Sequence, residues 1–182
     1  MFAALVALAA LMLPAVADAS PALRHAGDKA ARHGTLAQLP GSRGCLADSS
    51  KPSSGCGAAR ALEGPGPFMG SRAIAVSPDG KNVYVASSKS DAIAIFSRAT
   101  KTGALTQPAG SGGCIAAKGA GGCAKAIGLD GPNSVAISAN GRNVYATSRG
   151  SNAITSFARN PKTGALRQLP PTAAGCISAL PI

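Results

Sequence analysis

The feature that most limits what this chain can fold into is an internal echo. The stretch "SPDGKNVYVAS" (Ser77–Ser87) returns as "SANGRNVYATS" (Ser138–Ser148), at an offset of 61 residues. Extended to 70–107 against 131–168, the match keeps 19 identical positions of 38 without a gap, ending in "KTGALTQ" and "KTGALRQ". A period of this length marks a repeat architecture, in which each copy is one supersecondary unit stacked on its neighbour.

Within one copy, short β-branched runs alternate with turn signals. "AIAVS" leads through Pro78-Asp79-Gly80 to "NVYVAS", then through "SKSD" to "AIAIFS", and through "RATKTG" to "ALTQ". Asp79-Gly80 and Asn140-Gly141 are hairpin signals, because Gly accepts positive φ without steric cost. No 3.6-residue period survives two turns after residue 34, so helices are not expected there. Each copy therefore reads as four antiparallel strands. The large apolar residues alternate with Ala73, Ala75, Ala92 and Ala94, where a half-exposed sheet would carry polar side chains. Both faces must be buried. Sheets stacked around an axis satisfy this, as in a β-propeller; a β-sandwich is the alternative.

The phrases "SPDGKNVYVAS" and "DAIAIFSRATKTGALTQ" resemble the repeats of the lactonase-like seven-bladed β-propeller family. The likeness runs over about 34–182 and rests on scaffold residues. It implies the propeller fold. It also implies a kinship with sugar-lactone hydrolases and a muconate-cyclising enzyme, but it matches no catalytic residue here.

The expected fold class is all-β: a partial β-propeller of two complete four-stranded antiparallel blades plus an N-terminal orphan strand. "GTLAQLPGSRGC" (Gly34–Cys45) matches "GALTQPAGSGGC" (Gly103–Cys114), so the chain enters the repeat at a fourth strand. The expected divisions are a signal peptide at 1–19 and a basic linker at 20–33. The orphan strand and a Cys-containing loop follow at 34–69, and a blade at 70–107. An inter-blade loop with two Cys spans 108–130, a second blade 131–168, and the start of another loop 169–182. Two blades do not close a ring, so the reading is an N-terminal fragment of a longer protein, with bare blade faces that self-associate. The apolar run Phe2–Leu13 is too short to span a bilayer and fits a leader core, with Ala17-Asp18-Ala19 as one cleavage site and Ala15-Val16-Ala17 as a second, although no Lys or Arg precedes it. The expected location is secreted, periplasmic or at the cell surface, with no stable membrane span.

Cysteine placement follows the repeat. Cys45 and Cys56 lie after one fourth strand, and Cys114 and Cys123 after the next. In an oxidising compartment this predicts one disulfide per loop. Zinc prefers closer spacing and a His nearby, and both His residues, His25 and His33, precede the repeats. Disulfides are expected, and no metal or cofactor. Cys176 stands in phase with Cys45 and Cys114 and has no partner in this sequence.

The net charge is +11, from 18 Lys and Arg against 7 Asp and Glu. The basic residues are dispersed and few aromatics accompany them, which argues against nucleic acid and leaves a milder attraction to anionic ligands or surfaces. The expected partner is an unidentified ligand or protein, with anionic chemistry favoured. Arg72 and Asn133, at the starts of innermost strands, are the candidate ligand-binding residues, since an Arg fork can hold a carboxylate. The long segment Pro108–Asn133 would decorate the same face. Catalytic residues are not evident: Asp79, Asp91 and Asp130 occupy turn positions, and Glu63 a loop. The first functional expectation is an exported propeller that presents a binding face. The second is a lactone hydrolase or muconate-cyclising type of enzyme with its reacting groups in further blades.

Overall fold

The computed structural model describes residues 37–64, 73–170 and 175–179. The expected leader and linker, the start of the orphan-strand segment at 34–36, and Arg72 lie outside the described residues. From Gln38 onward the chain forms one unit. It contains β1 (Leu46–Asp48) and β2 (Gly57–Ala59), then a first blade of β3 (Ile74–Val76), β4 (Asn82–Ser87), β5 (Ala92–Arg98), β6 (Leu105–Thr106) and β7 (Cys114–Ala116). β8 (Ala124–Lys125) leads to a second blade of β9 (Pro132–Ile137), β10 (Asn143–Ser148), β11 (Ala153–Arg159), β12 (Leu166–Gln168) and β13 (Cys176–Ser178). Helical geometry among the described residues is confined to 3-10 turns of three or four residues.

The strands of each blade pair antiparallel in sequence order, β3-β4-β5 and β9-β10-β11-β12. The turns follow the residue types. Gly80 and Gly141 both take φ 68°, while Asp91 and Asn152 take φ 49° and 47° between the second and third strands. Asp and Asn are the non-Gly residues that best tolerate this left-handed geometry. Before each hairpin a serine fixes the turn. Ser77 Oγ donates to Asp79 Oδ1 and accepts from Asn82 N (3.0 Å), and Ser138 repeats both contacts with Asn140 and Asn143.

The fourth strand of each blade is split. β6 pairs with the Ser97–Arg98 end of β5, and β7 with its Ala92–Ala94 end; β12 and β13 divide β11 in the same way. The excursion between the halves is closed by a repeated Gln. Gln38, Gln107 and Gln168 each donate through Nε2 to the carbonyl of Gly44, Gly113 and Gly175. These glycines leave no room for a side chain: a Cβ would lie 1.9, 2.1 and 2.0 Å from the carbonyl oxygens of Leu39, Pro108 and Leu169. Gly therefore precedes Cys at all three places for a steric reason.

The two sheets meet through opposite faces. The front face of the first blade, with Tyr84, Ile93 and Ile95, packs on the back face of the second, with Val135, Val144, Ala146, Phe157 and Leu166. A two-fold sandwich would join like faces. Front-to-back stacking of repeated sheets is the propeller arrangement, and it explains why β4 is buried along its whole length. The back face of the first blade (Val83, Val85, Ala94, Phe96) is covered in turn by Leu46, Ala59 and Leu62 of the preceding segment.

Candidate functional site

The strand directions give the unit two unlike ends. The Asp79-Gly80 and Lys101-Thr102-Gly103 turns and their repeats lie at one end. The Ser88–Asp91 and Arg149–Asn152 turns lie at the other, with the Cys-containing loops.

The loop end is held more firmly than its Gly content predicts. Disulfides join Cys45 to Cys56 and Cys114 to Cys123, each with Cα atoms 4.8 Å apart, and Cys176 is a free thiol. Arg60 ties the second loop down, donating from Nη1 to Gly121 O (3.0 Å) and from Nη2 to Pro108 O and Gly110 O (3.0 and 3.1 Å). Gln107 exchanges two hydrogen bonds with the backbone of Arg60, and Gln168 does the same with Ile127. A cleft of about 230 Å³ opens between the two loops, lined by Asp48, Ser50, Arg60, Glu63, Lys89 and Ser90 among others. Asn133 stands at this end as well, and its Oδ1 accepts from Thr147 Oγ1 (2.7 Å).

The acids here serve the fold. Asp48 accepts from Ser50 N and Oγ and from Leu62 N. Burial opposes its ionisation, but the Ser50 and Leu62 bonds outweigh it and hold the carboxyl below its usual range. Asp91 Oδ1 accepts from Gly131 N (2.9 Å), and Glu63 pairs with Lys51. Asp130 is exposed. Among the described residues no group of three or more His, Cys, Asp or Glu converges on a point that could hold a metal, and no helix is long and apolar enough to cross a membrane.

The densest polar cluster lies at the turn end, in the seam between the blades, and the sequence reading did not single it out. Arg159, the last residue of β11, is buried. It donates through Nε to Tyr84 Oη (2.9 Å), through Nη1 to Gly141 O (3.0 Å), and through Nη2 to Asn82 Oδ1 (2.6 Å) and both Asp79 oxygens (3.1 and 2.9 Å). Tyr84 Oη donates its own hydrogen bond to Gly164 O at 2.7 Å. The Ser77 hydroxyl, with Arg159 and Lys81 N, draws the Asp79 carboxyl from 3.8 to about 2, against a smaller desolvation effect. Burial pushes the Tyr84 hydroxyl up. Every donor and acceptor named is satisfied from within the protein, so the cluster is a lock between blades. The available signal was the shared phase of Arg98 and Arg159 with "SPDG…NVY".

This architecture defines a β-propeller sector built from four-stranded blades in which turn, Tyr and Arg repeat in the same phase. Residues 62–115 match the family described as lactonase, seven-bladed β-propeller. Among solved structures it is similar to a proposed 6-phosphogluconolactonase from Bacteroides fragilis, at 30% identity over 53% of this chain and 23% of that one, with a TM-score of 0.42. A proposed 6-phosphogluconolactonase from Bacteroides uniformis matches at 31% identity, covering 53% and 24%, with a TM-score of 0.38. The periplasmic gluconolactonase of Pseudomonas aeruginosa matches at 23% identity, covering 61% and 26%, with a TM-score of 0.45. The chain thus spans about a quarter of the length of these structures. No curated protein matches it.

Proposed function

We propose that this chain forms a blade sector of an exported lactonase-like propeller whose loop end binds an anionic ligand, with no catalytic residue evident in this stretch. One observation carries the reading. Of the acids in the described residues, all but the exposed Asp130 are engaged in turns, caps or ion pairs that hold the fold, and the sequence has no His past residue 33. A general base needs a carboxylate or imidazole free to reach substrate. The overall charge of +11 supports an anionic ligand, and Lys89 and Asn133 stand at the loop end to receive it. Two disulfides support an oxidising compartment.

The second reading is a lactone hydrolase with its reacting groups outside the described residues, and it is favoured by the family match over 62–115. Gluconate binding by the chain itself tests the first reading, and hydrolysis of glucono-δ-lactone by a form of the protein that carries further blades tests the second. The purified chain should not raise lactone hydrolysis above the buffer rate at pH 7, and calorimetry should show saturable gluconate binding weakened by Lys89→Ala and Asn133→Ala. Hydrolysis above background would favour the enzyme. N-terminal sequencing of exported material should find Ser20 or Asp18, and a chain retained with Met1 would remove the export reading.

A further inference from the structure

Charge is divided unequally between the two ends of the unit. The loop end carries both signs: Asp48, Glu63, Asp91 and Asp130 stand there among cations such as Lys89 and Lys118. At the turn end the acid among the described residues is Asp79, and the buried Arg159 already pairs with it at 2.9 Å. Lys81 and Lys101 sit on the turns of the first blade, and Arg142 and Lys162 on the same turns of the second. All four are exposed, and none makes an ion pair among the described residues. The echo keeps a positive charge at both positions while exchanging Lys81 for Arg142. Lysine and arginine share charge but not hydrogen-bonding geometry, so what repeats there is the charge. This end stays exposed whatever stands beside the blades, because neighbouring sheets cover faces and not strand ends.

The backbone under these cations is fixed. Asp79 Oδ1 accepts from Lys81 N (3.1 Å), Asn140 Oδ1 from Arg142 N (3.0 Å) and Asn160 Oδ1 from Lys162 N (2.9 Å). Gly103 N closes the Lys101 turn on Ala99 O (2.7 Å). Both turns of a blade leave the strands at one level, since Asn82 pairs with Ser97 and Asn143 with Ala158. The four charges therefore reach a planar partner together. The turns "PDG", "ATKTG", "ANG" and "NPKTG" hold no large apolar or aromatic residue. They offer neither the stacking platforms that suit single-stranded nucleic acid nor the apolar face of an inserted helix. A flat, rigid face that acts by charge alone fits a flat anionic surface. We propose that the turn end is a docking face for an anionic lipid bilayer, held there peripherally and reversibly. The loop end, at the far end of the strands, then faces away from the lipid and stays open to solutes. No helix among the described residues is long and apolar enough to cross a membrane, and this mode needs none.

Co-sedimentation of the purified chain with phosphatidylcholine vesicles holding about 30% phosphatidylglycerol tests this. Binding should be present at about 0.05 M salt and fall at least about tenfold by about 0.5 M, where screening shortens the reach of each charge. A basic residue near an anionic surface raises the partition about fivefold. Lys101→Glu with Lys162→Glu should therefore weaken binding at least about tenfold. The milder pair Lys81→Gln with Arg142→Gln should weaken it at least about fivefold. Lys118→Glu with Lys125→Glu makes the first pair's change of net charge at exposed positions of the loop end, and should weaken binding less than about twofold. Far-UV circular dichroism and both disulfides should be unchanged in every variant. Equal losses from the two ends would mean that diffuse charge binds the lipid, and would overturn the proposal. So would binding to pure phosphatidylcholine as tight as to the mixture, or no binding at about 0.05 M salt. Capture by soluble polyglutamate without vesicle binding, lost in the same turn-end variants, would overturn the lipid assignment and give the face to an acidic polymer.

Discussion

Arg159 and Arg98 occupy the same place in the repeat, and their difference isolates the value of the seam. In Arg159→Ala, Asn82 Oδ1 is left buried without a donor, which costs about 1–3 kcal/mol. Losing the buried stem of the side chain costs about 1 kcal/mol more. The Asp79 carboxylate, 34% exposed, is partly rehydrated and adds about 1 kcal/mol or less. The expected total is about 3 kcal/mol, at the low end of the range for breaking a buried pair. In Arg98→Ala a single hydrogen bond to Gly80 O is lost, and water can replace it, so the cost is about 0.5–1 kcal/mol. Urea unfolding followed by far-UV circular dichroism, at a concentration where the chain is monomeric, measures both. The gap should be about 2 kcal/mol, with Arg159→Lys recovering half or less because one ammonium cannot reproduce the fork. If the two Ala variants fall within 0.5 kcal/mol of each other, by the ordinary scatter of neutral surface changes, the seam is not what holds the blades and the reasoning fails.

Acid should act through the same seam. Asp79 titrates at about 2 in the folded chain against 3.8 unfolded. Its contribution is therefore full above about pH 4 and is lost as pH falls through 2, amounting to about 1 kcal/mol after allowing for solvent; Asp79→Asn should flatten that part of the stability–pH curve, and Asp48 the rest. Gly113→Ala should destabilise by about 2 kcal/mol or more, since its Cβ meets the Pro108 carbonyl at 2.1 Å, and thermal melts will show whether the excursion can relax instead. Reducing Cys114–Cys123, which spans 9 residues, should cost about 2–3 kcal/mol. Peptide mapping without reductant should recover the pairs Cys45–Cys56 and Cys114–Cys123, not a cross-link between loops.

The repeat alone determined the blades. Asp-Gly and Asn-Gly turns, alternating β-branched and Ala positions, and the phase of the Cys residues are local signals, and local geometry obeyed them. Strand content, four-strand order and both disulfides were legible for that reason. Ala in place of polar residues at Ala92 and Ala94 also foretold burial on both faces, and β5 shows it along Ala92–Phe96. What lay beyond the sequence were contacts between residues about 80 positions apart. Arg159 looks like a strand-end cation in the sequence. It becomes the centre of a lock only because the front face of one blade meets the back face of the next and brings Asp79, Asn82 and Tyr84 within reach. The split fourth strand had no period to announce it, since a seven-residue excursion closed by Gln107 and Gly113 reads as loop. Burial shows the limit most directly. Tyr84 and Tyr145 share one local phrase, yet one is sealed and the other open, because burial depends on what stands opposite the strand and the phrase specifies only the strand.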